Sequence, residues 1–198
     1  MKKSVLFLSL LLACHAQFAQ TFEEKEAAME KEILQAKEKY GESSGQYESG
    51  LVQMALLQMQ NGKFRESLEW LSRLQAMLTN MNLGKSADAV WAHYYQGSVH
   101  YSLSEPENAI SHFEKVISIS TDTKQEDSAF AETSLGYIAN CYIMKGDFEN
   151  AEKYIECEIE KAETLHGKES EQYIMARSRK GALFQEAGNL EDAKKEYL

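Results

Sequence analysis

Proline is almost absent, with one in 198 residues. Proline breaks helix interiors, so a chain with a single copy can sustain long uninterrupted helices. Cysteine is scarce too, with three copies. Cys14 falls in an apolar N-terminal stretch, which leaves Cys141 and Cys157 on what the pattern predicts as adjacent antiparallel helices. These two could pair in an oxidising compartment, but two buried thiols acting as small hydrophobes is the simpler expectation. Positive charge is in deficit: 21 Lys and Arg against 31 Asp and Glu give a net charge of −10. Such a chain repels phosphate backbones and anionic headgroups, which argues against a nucleic-acid partner. The acidic residues are spread through Glu-rich stretches rather than gathered in a tail, as on a solvated surface. The apolar stretch from Ser4 to Ala13 is about ten residues, too short to span a bilayer.

Catalytic signatures are missing as well. The chain has no Gly-rich phosphate loop, no nucleophile elbow and no HExxH motif, and its many carboxylates form no recognisable acid/base setting. His93 and His100 lie seven apart on one side of a predicted helix, and His112 lies on the partner helix. No Cys or carboxylate completes an i, i+4 pair with them, so packing or solvated histidines are expected rather than metal ligands. Neither catalytic residues, a metal nor a cofactor is expected.

The N-terminus is laid out as an export signal. Met1-Lys2-Lys3 is basic, Ser4 to Ala13 is apolar, and small residues follow at Ala13, Ala16 and Ala19. Residues 1–19 are therefore expected to be a signal peptide, cut after Ala16 or Ala19, placing the protein in a bacterial periplasm or cell envelope. Leu11-Leu12-Ala13-Cys14 resembles a loose lipobox, so a lipid anchor on Cys14 is the minor alternative.

The rest of the chain repeats. Gly62-Lys63-Phe64-Arg65-Glu66-Ser67, Ser104-Glu105-Pro106-Glu107-Asn108-Ala109, Gly146-Asp147-Phe148-Glu149-Asn150-Ala151 and Gly188-Asn189-Leu190-Glu191-Asp192-Ala193 align without gaps, each 42 residues after the last. Twelve residues before each final small residue stands another: Ala55, Gly97, Ala139 and Gly181. Bulky residues hold register beside them, at Leu57, Val99, Cys141 and Leu183 and at Leu71, Phe113, Ile155 and Tyr197. Two antiparallel helices approach closely where side chains are small, and large residues fill the space around that contact. Gly or Ser ends the first helix of each pair; Gly suits a left-handed C′ position, and the acidic residues after it suit a helix N-terminus. Pro106 falls in a first turn, where its missing N–H costs little. Gln96 and Lys180 occupy positions where an apolar residue is usual, so the second and fourth copies are expected to pack less tightly.

The linker Gly41-Glu42-Ser43-Ser44-Gly45-Gln46-Tyr47 resembles Gly167-Lys168-Glu169-Ser170-Glu171-Gln172-Tyr173, three periods later. The stretch before it is thus an unpaired second helix, with Phe22, Met29, Ile33 and Leu34 as the face that caps the stack. The expected organisation is a leading half-repeat at 20–44 and repeats at 45–84, 85–125, 126–168 and 169–198. The last repeat stops within its final helix, as in a fragment of a longer solenoid.

A helix pair with this small–bulky–turn–small–bulky spacing resembles the tetratricopeptide repeat. The 42-residue period is similar to the kinesin light chain type, best seen in Leu135-Gly136-Tyr137-Ile138-Ala139-Asn140-Cys141-Tyr142 followed by Gly146 to Tyr154. The resemblance implies an all-α, right-handed α-solenoid of antiparallel helix pairs. It also implies that a protein or peptide partner binds the concave groove lined by the first helix of each pair. Carried over by position, the groove residues are Trp91, Tyr94 and Tyr101 in the second repeat, Thr133, Asn140 and Ile143 in the third, and Ser178 in the fourth. Aromatics there would suit an apolar partner segment, although each alone reads more readily as inter-repeat core. Asn140 matches an asparagine that such repeats turn into the groove to bond a partner's backbone. The basic clamp that some members use for C-terminal carboxylates is absent, since only Arg179 is basic among those positions.

An exported scaffold for protein–protein interaction is the leading expectation. The alternatives are a sensory or recruiting arm of a larger enzymatic or signalling protein and a self-assembly module.

Overall fold

The computed structural model describes residues 21–124 and 129–197; the leader and Cys14 lie outside the described residues. Among the described residues there are nine α-helices and no strand. They are α1 (Phe22–Tyr40), α2 (Gly45–Gln60), α3 (Phe64–Asn80), α4 (Ala87–Ser102), α5 (Pro106–Asp122), α6 (Ala129–Met144), α7 (Phe148–His166), α8 (Glu171–Glu186) and α9 (Leu190–Tyr197). Each packs on the next along the chain. The first helices α4, α6 and α8 also touch one another in succession, whereas no two second helices meet as closely. The stack therefore curves as an α-solenoid with the first helices on its inner face.

Local chemistry sets the helix ends. Ser44, Ser86 and Ser170 cap α2, α4 and α8, accepting the backbone N–H of Tyr47, Ala89 and Tyr173 at 3.3, 3.2 and 3.2 Å. Each such cap is worth about 1 kcal/mol. The turns within pairs need a positive φ, which Gly62, Gly146 and Gly188 supply at 72°, 71° and 78°. Ser104 takes the same place at φ 57° and bears the Cβ strain that glycine avoids. Pro106 is the first residue of α5, where no helical hydrogen bond needs its N–H.

The small residues lie where helices cross. A Cβ on Gly97 would come within 2.9 Å of the Phe113 ring, and one on Gly181 within 2.7 Å of the Tyr197 ring. Ala55 and Ser67 are both fully buried, and the Ser67 hydroxyl donates to the Ala55 carbonyl at 3.0 Å. Around these contacts Leu51, Leu71, Leu78, Phe113, Ile138 and Ile155 are fully buried. Each such side chain contributes about 1.5–3 kcal/mol of apolar burial.

Three expectations need adjustment or sharpening. In α1, Ile33 is buried and Met29 packs with it, but Leu34 is 55% exposed, because adjacent residues lie about 100° apart on a helix. Cys141 is buried as expected, whereas Cys157 is exposed. Cys157 follows core-facing Ile155 by two residues, about 200° around α7, and so points outward. Gln96 is 4% exposed, so it is packed in, and its cost is a buried Oε1 with no hydrogen-bond partner among the described residues. Lys180 instead reaches out to Glu156 at 3.1 Å.

Candidate partner-binding groove

The inner face opens into a cleft of about 380 Å³ between α6 and α8, lined by Thr133, Tyr137, Asn140, Gln172, Met175 and Arg179, with Glu158 of α7 at its floor. Arg179 organises this cleft. Its Nε donates to Glu158 Oε2 at 2.9 Å, its Nη2 to Glu158 Oε1 at 3.3 Å and its Nη1 to Asn140 Oδ1 at 2.8 Å. Glu158 is 8% exposed. Burial raises its pKa above the usual carboxylate value, and the Arg179 guanidinium opposes that rise. Gly136 leaves room for the pair as it stands: a Cβ there would come 2.7 Å from Glu158 Oε1 and 2.8 Å from Arg179 Nη2, so the two side-chain ends would have to shift.

Because a guanidinium can only donate, the oxygen of the Asn140 amide must face Arg179. The Asn140 NH2 group is left without a partner among the described residues, free to donate to an acceptor in the cleft. On the rim, Glu132 is held by His166 at 3.0 Å, and the Thr133 hydroxyl donates to the Ala129 carbonyl at 2.7 Å.

The other groove residues proposed from the sequence lie in three different settings. Tyr94 is half-buried amid Tyr95, Phe113, Phe130 and Tyr137, with ring centroids 4.8–6.1 Å away. Burial, then the neighbouring Tyr137, pushes its hydroxyl pKa up to about 12. Tyr101 meets Tyr137 edge-on at 5.2 Å, and Trp91 packs against Tyr95 at 4.3 Å. These aromatics form a continuous wall through Tyr137, which also lines the Asn140 cleft. Ile143 packs with Ala139, Ile155 and Leu183 in the core of the last two repeats. Ser178 is exposed in a separate cleft beside Tyr173 and Tyr197. The structure thus unites Thr133 and Asn140, joins Tyr94 and Tyr101 to them through Tyr137, and sets Ser178 apart.

Sequence reasoning missed Glu158 and undervalued Arg179. The signal was present in the 42-residue register, where Glu158 corresponds to Leu74 and Val116, and Arg179 to Tyr95 and Tyr137. A charged residue at each of two positions that are apolar or aromatic in the two preceding copies, and polar again only at Glu32 and Gln53, is a departure that pairs the two.

Among the described residues, no group of three or more His, Cys, Asp or Glu is placed to hold a metal ion, and no helix is long and apolar enough to cross a membrane.

Residues 130–197 match the family model of the tetratricopeptide repeat. No curated protein matches the chain. Among solved structures, a kinesin light chain-type protein of nearly identical TPR-like repeats from Podosopora anserina superposes with a TM-score of 0.76 at 14% identity, covering 88% of this chain and 82% of that one. BtubC (BKLC) from P. vanneervenii gives 0.67 at 14% identity over 90% and 73% of the two chains. MamA gives 0.61 at 19% identity over 89% and 84%.

Proposed function

We propose that this chain, a tetratricopeptide-repeat protein with a 42-residue unit of the kinesin light chain type, is an exported scaffold that holds a protein segment in its concave groove. The observation that carries this reading is the Asn140 amide, fixed by Arg179 with its NH2 group unpaired in an open cleft. An amide so oriented matches a backbone carbonyl of an extended or helical segment. The aromatic wall of Tyr94, Tyr101 and Tyr137 and the exposed Met175 supply apolar contact beside it. Binding without catalysis is the ordinary work of this repeat, and the cleft combines no nucleophile with a general base.

Export rests on the leader: a basic start, an apolar centre and small residues at Ala13, Ala16 and Ala19. Expression of the full chain in a bacterium, followed by N-terminal sequencing, should give a mature start at Gln17 or Gln20. An intact Met1 on cytoplasmic protein would refute export, and a lipid-modified Cys14 would establish anchoring instead.

Groove binding is tested by selecting peptides on the purified chain from a random library and repeating the selection with Asn140→Ala. Sequences retained by the parent should lose at least tenfold in affinity on the variant, whose circular dichroism should be unchanged. Peptides that bind both equally would place the interaction elsewhere. The alternative, a recruiting arm of a larger enzymatic or signalling protein, uses the same groove and differs only in what the gene encodes after Leu198.

A further inference from the structure

Three imidazoles meet at the junction of the first two repeats, away from the Asn140 cleft. His93 of α4 is 9% exposed. Its Nδ1 lies 3.1 Å from Nδ1 of His112 on α5, and its Nε2 lies 3.0 Å from Gln75 Nε2 on α3. The His100 ring stacks on His112 with an interplanar angle of 14° and centroids 5.4 Å apart. His100 Nδ1 sits 2.7 Å from Glu105 Oε2, and Glu105 also pairs with Arg65. Lys115 of α5 adds a positive charge that bears on His93. Neither His93 nor His112 touches a carboxylate among the described residues.

The hydrogen bonds have a definite polarity when the rings are neutral. The Gln75 amide donates to a lone pair on His93 Nε2, His93 then carries its hydrogen on Nδ1, and that hydrogen goes to a lone pair on His112 Nδ1. One added proton requires the Gln75 amide to flip and leaves a buried cation with no counter-ion in contact. A second sets two N–H groups face to face across 3.1 Å.

The repeat register shows what this chain replaces. Gln75, His93 and His112 correspond to Ile33, Leu51 and Trp70 one repeat earlier, all in one apolar cluster. One repeat later they correspond to Ile117, Leu135 and Tyr154. In the fourth repeat the His93 and His112 positions hold Arg177 and Glu196, which form an ion pair. The same joint is thus apolar, ionic or, here alone among the four, built from imidazoles.

We propose that the Gln75–His93–His112 chain, with His100 stacked on it, is an acid-sensitive latch that joins α3, α4 and α5 while its imidazoles are neutral and releases α4 and α5 when they take up protons. Since α4 carries Trp91, Tyr94 and Tyr101, release withdraws the aromatic wall from the groove, and a partner held at neutral pH is let go in acid.

Burial, then the neighbouring His93 and His100, lowers the pKa of His112 from 6.5 to about 4, and burial chiefly lowers that of His93. An opened His112 therefore binds a proton before a closed one does. Closure is at full strength above pH 6.5 and weakens as pH falls toward 4. From His112 alone, the opening equilibrium at pH 5 should rise about thirtyfold over its value at about pH 7.5.

The test is hydrogen exchange with mass spectrometry on the full chain at pH 7.5 and 5.0, corrected for the chemical exchange rate. Peptides from α4 and α5 should lose protection by about thirtyfold on acidification, while those from α7 should change far less. His112→Tyr, which copies the residue at this position in the next repeat, should abolish the acid effect. An unchanged α4–α5 protection in the parent, or an equal loss in the variant, overturns the latch. Should the variant fail to fold, imidazole NMR titration of the parent decides: His112 must titrate well below 6.5, and a value at or above 6.5 refutes the proposal.

Discussion

Replacing Arg179 with Met should cost the last two repeats about 3 kcal/mol, because it strands a buried carboxylate. The Glu158 side chain is 10% exposed and the Arg179 side chain 21%, so the pair sits nearer the buried than the surface regime. Removing one member of a buried pair typically costs about 3–5 kcal/mol, and partial access of water to Arg179 places this case at the lower end. In urea, with a slope of about 1–3 kcal/mol per molar, the midpoint should fall by about 1–3 M. Far-UV circular dichroism will register that loss. Fluorescence should be much less affected, since both tryptophans, Trp70 and Trp91, lie in the first two repeats. The deficit must also depend on pH. Burial already raises the Glu158 pKa above 4.5, and loss of the guanidinium raises it further. A group whose folded pKa is raised costs nothing below its unfolded value and destabilises progressively as pH climbs past it, so the deficit should be large at pH 7.5 and smaller near pH 4.5. Finally, Glu158→Val combined with Arg179→Tyr rebuilds the Val116 and Tyr137 combination of the previous repeat and should recover most of the loss. A cost below about 1 kcal/mol, as for a surface pair, would refute the reasoning. So would a deficit that does not shrink in acid, or a double variant no better than Arg179→Met.

Gly97→Ala should destabilise by about 1–3 kcal/mol in thermal or urea unfolding, since its new methyl must displace the Phe113 ring 2.9 Å away; a neutral effect would mean the helices can separate freely there. Ser86→Ala should cost about 1 kcal/mol by removing the cap that holds the Ala89 N–H, read by the same unfolding curves. Maleimide should label Cys157 in the native protein and spare Cys141, whose thiol is buried with its pKa pushed up to about 11; equal labelling would contradict the packing of α6.

Much of this architecture could be read before any coordinates. The capping serines, the glycines of the tight turns and the small residues at the crossings each answer to a local requirement: a side-chain acceptor for an orphan N–H, a positive φ, or room for a neighbouring ring. Such requirements recur every 42 residues and so are visible in one chain. Pro106 and Ser104, the two irregular occupants, still meet them, Pro106 as the first residue of α5 and Ser104 at a positive φ of 57°. Leu34 and Cys157 were harder, because which way one residue faces depends on rotation about a helix rather than on period. The Asn140 cleft was partly legible. Asn140 stood out through a resemblance, but its partner Arg179 lies 39 residues away and Glu158 belongs to the helix between them.

What the register reveals, once structure shows which positions touch, is a set of equivalent joints filled with different chemistry. The positions of His93 and His112 hold Leu51 and Trp70 in one apolar cluster, Leu135 and Tyr154, and Arg177 and Glu196 as an ion pair. The positions of Arg179 and Glu158 hold Tyr137 and Val116, Tyr95 and Leu74, and Gln53 and Glu32 in the preceding copies. An apolar filling stabilises such a joint at every pH, whereas a polar one costs desolvation and is recovered only through its partners. Retaining polar side chains at the His93 and Arg179 joints therefore sacrifices stability that an apolar filling, present in neighbouring repeats, would regain. At Arg179 the return is an oriented amide in the groove, and at His93 it is a joint whose strength depends on pH.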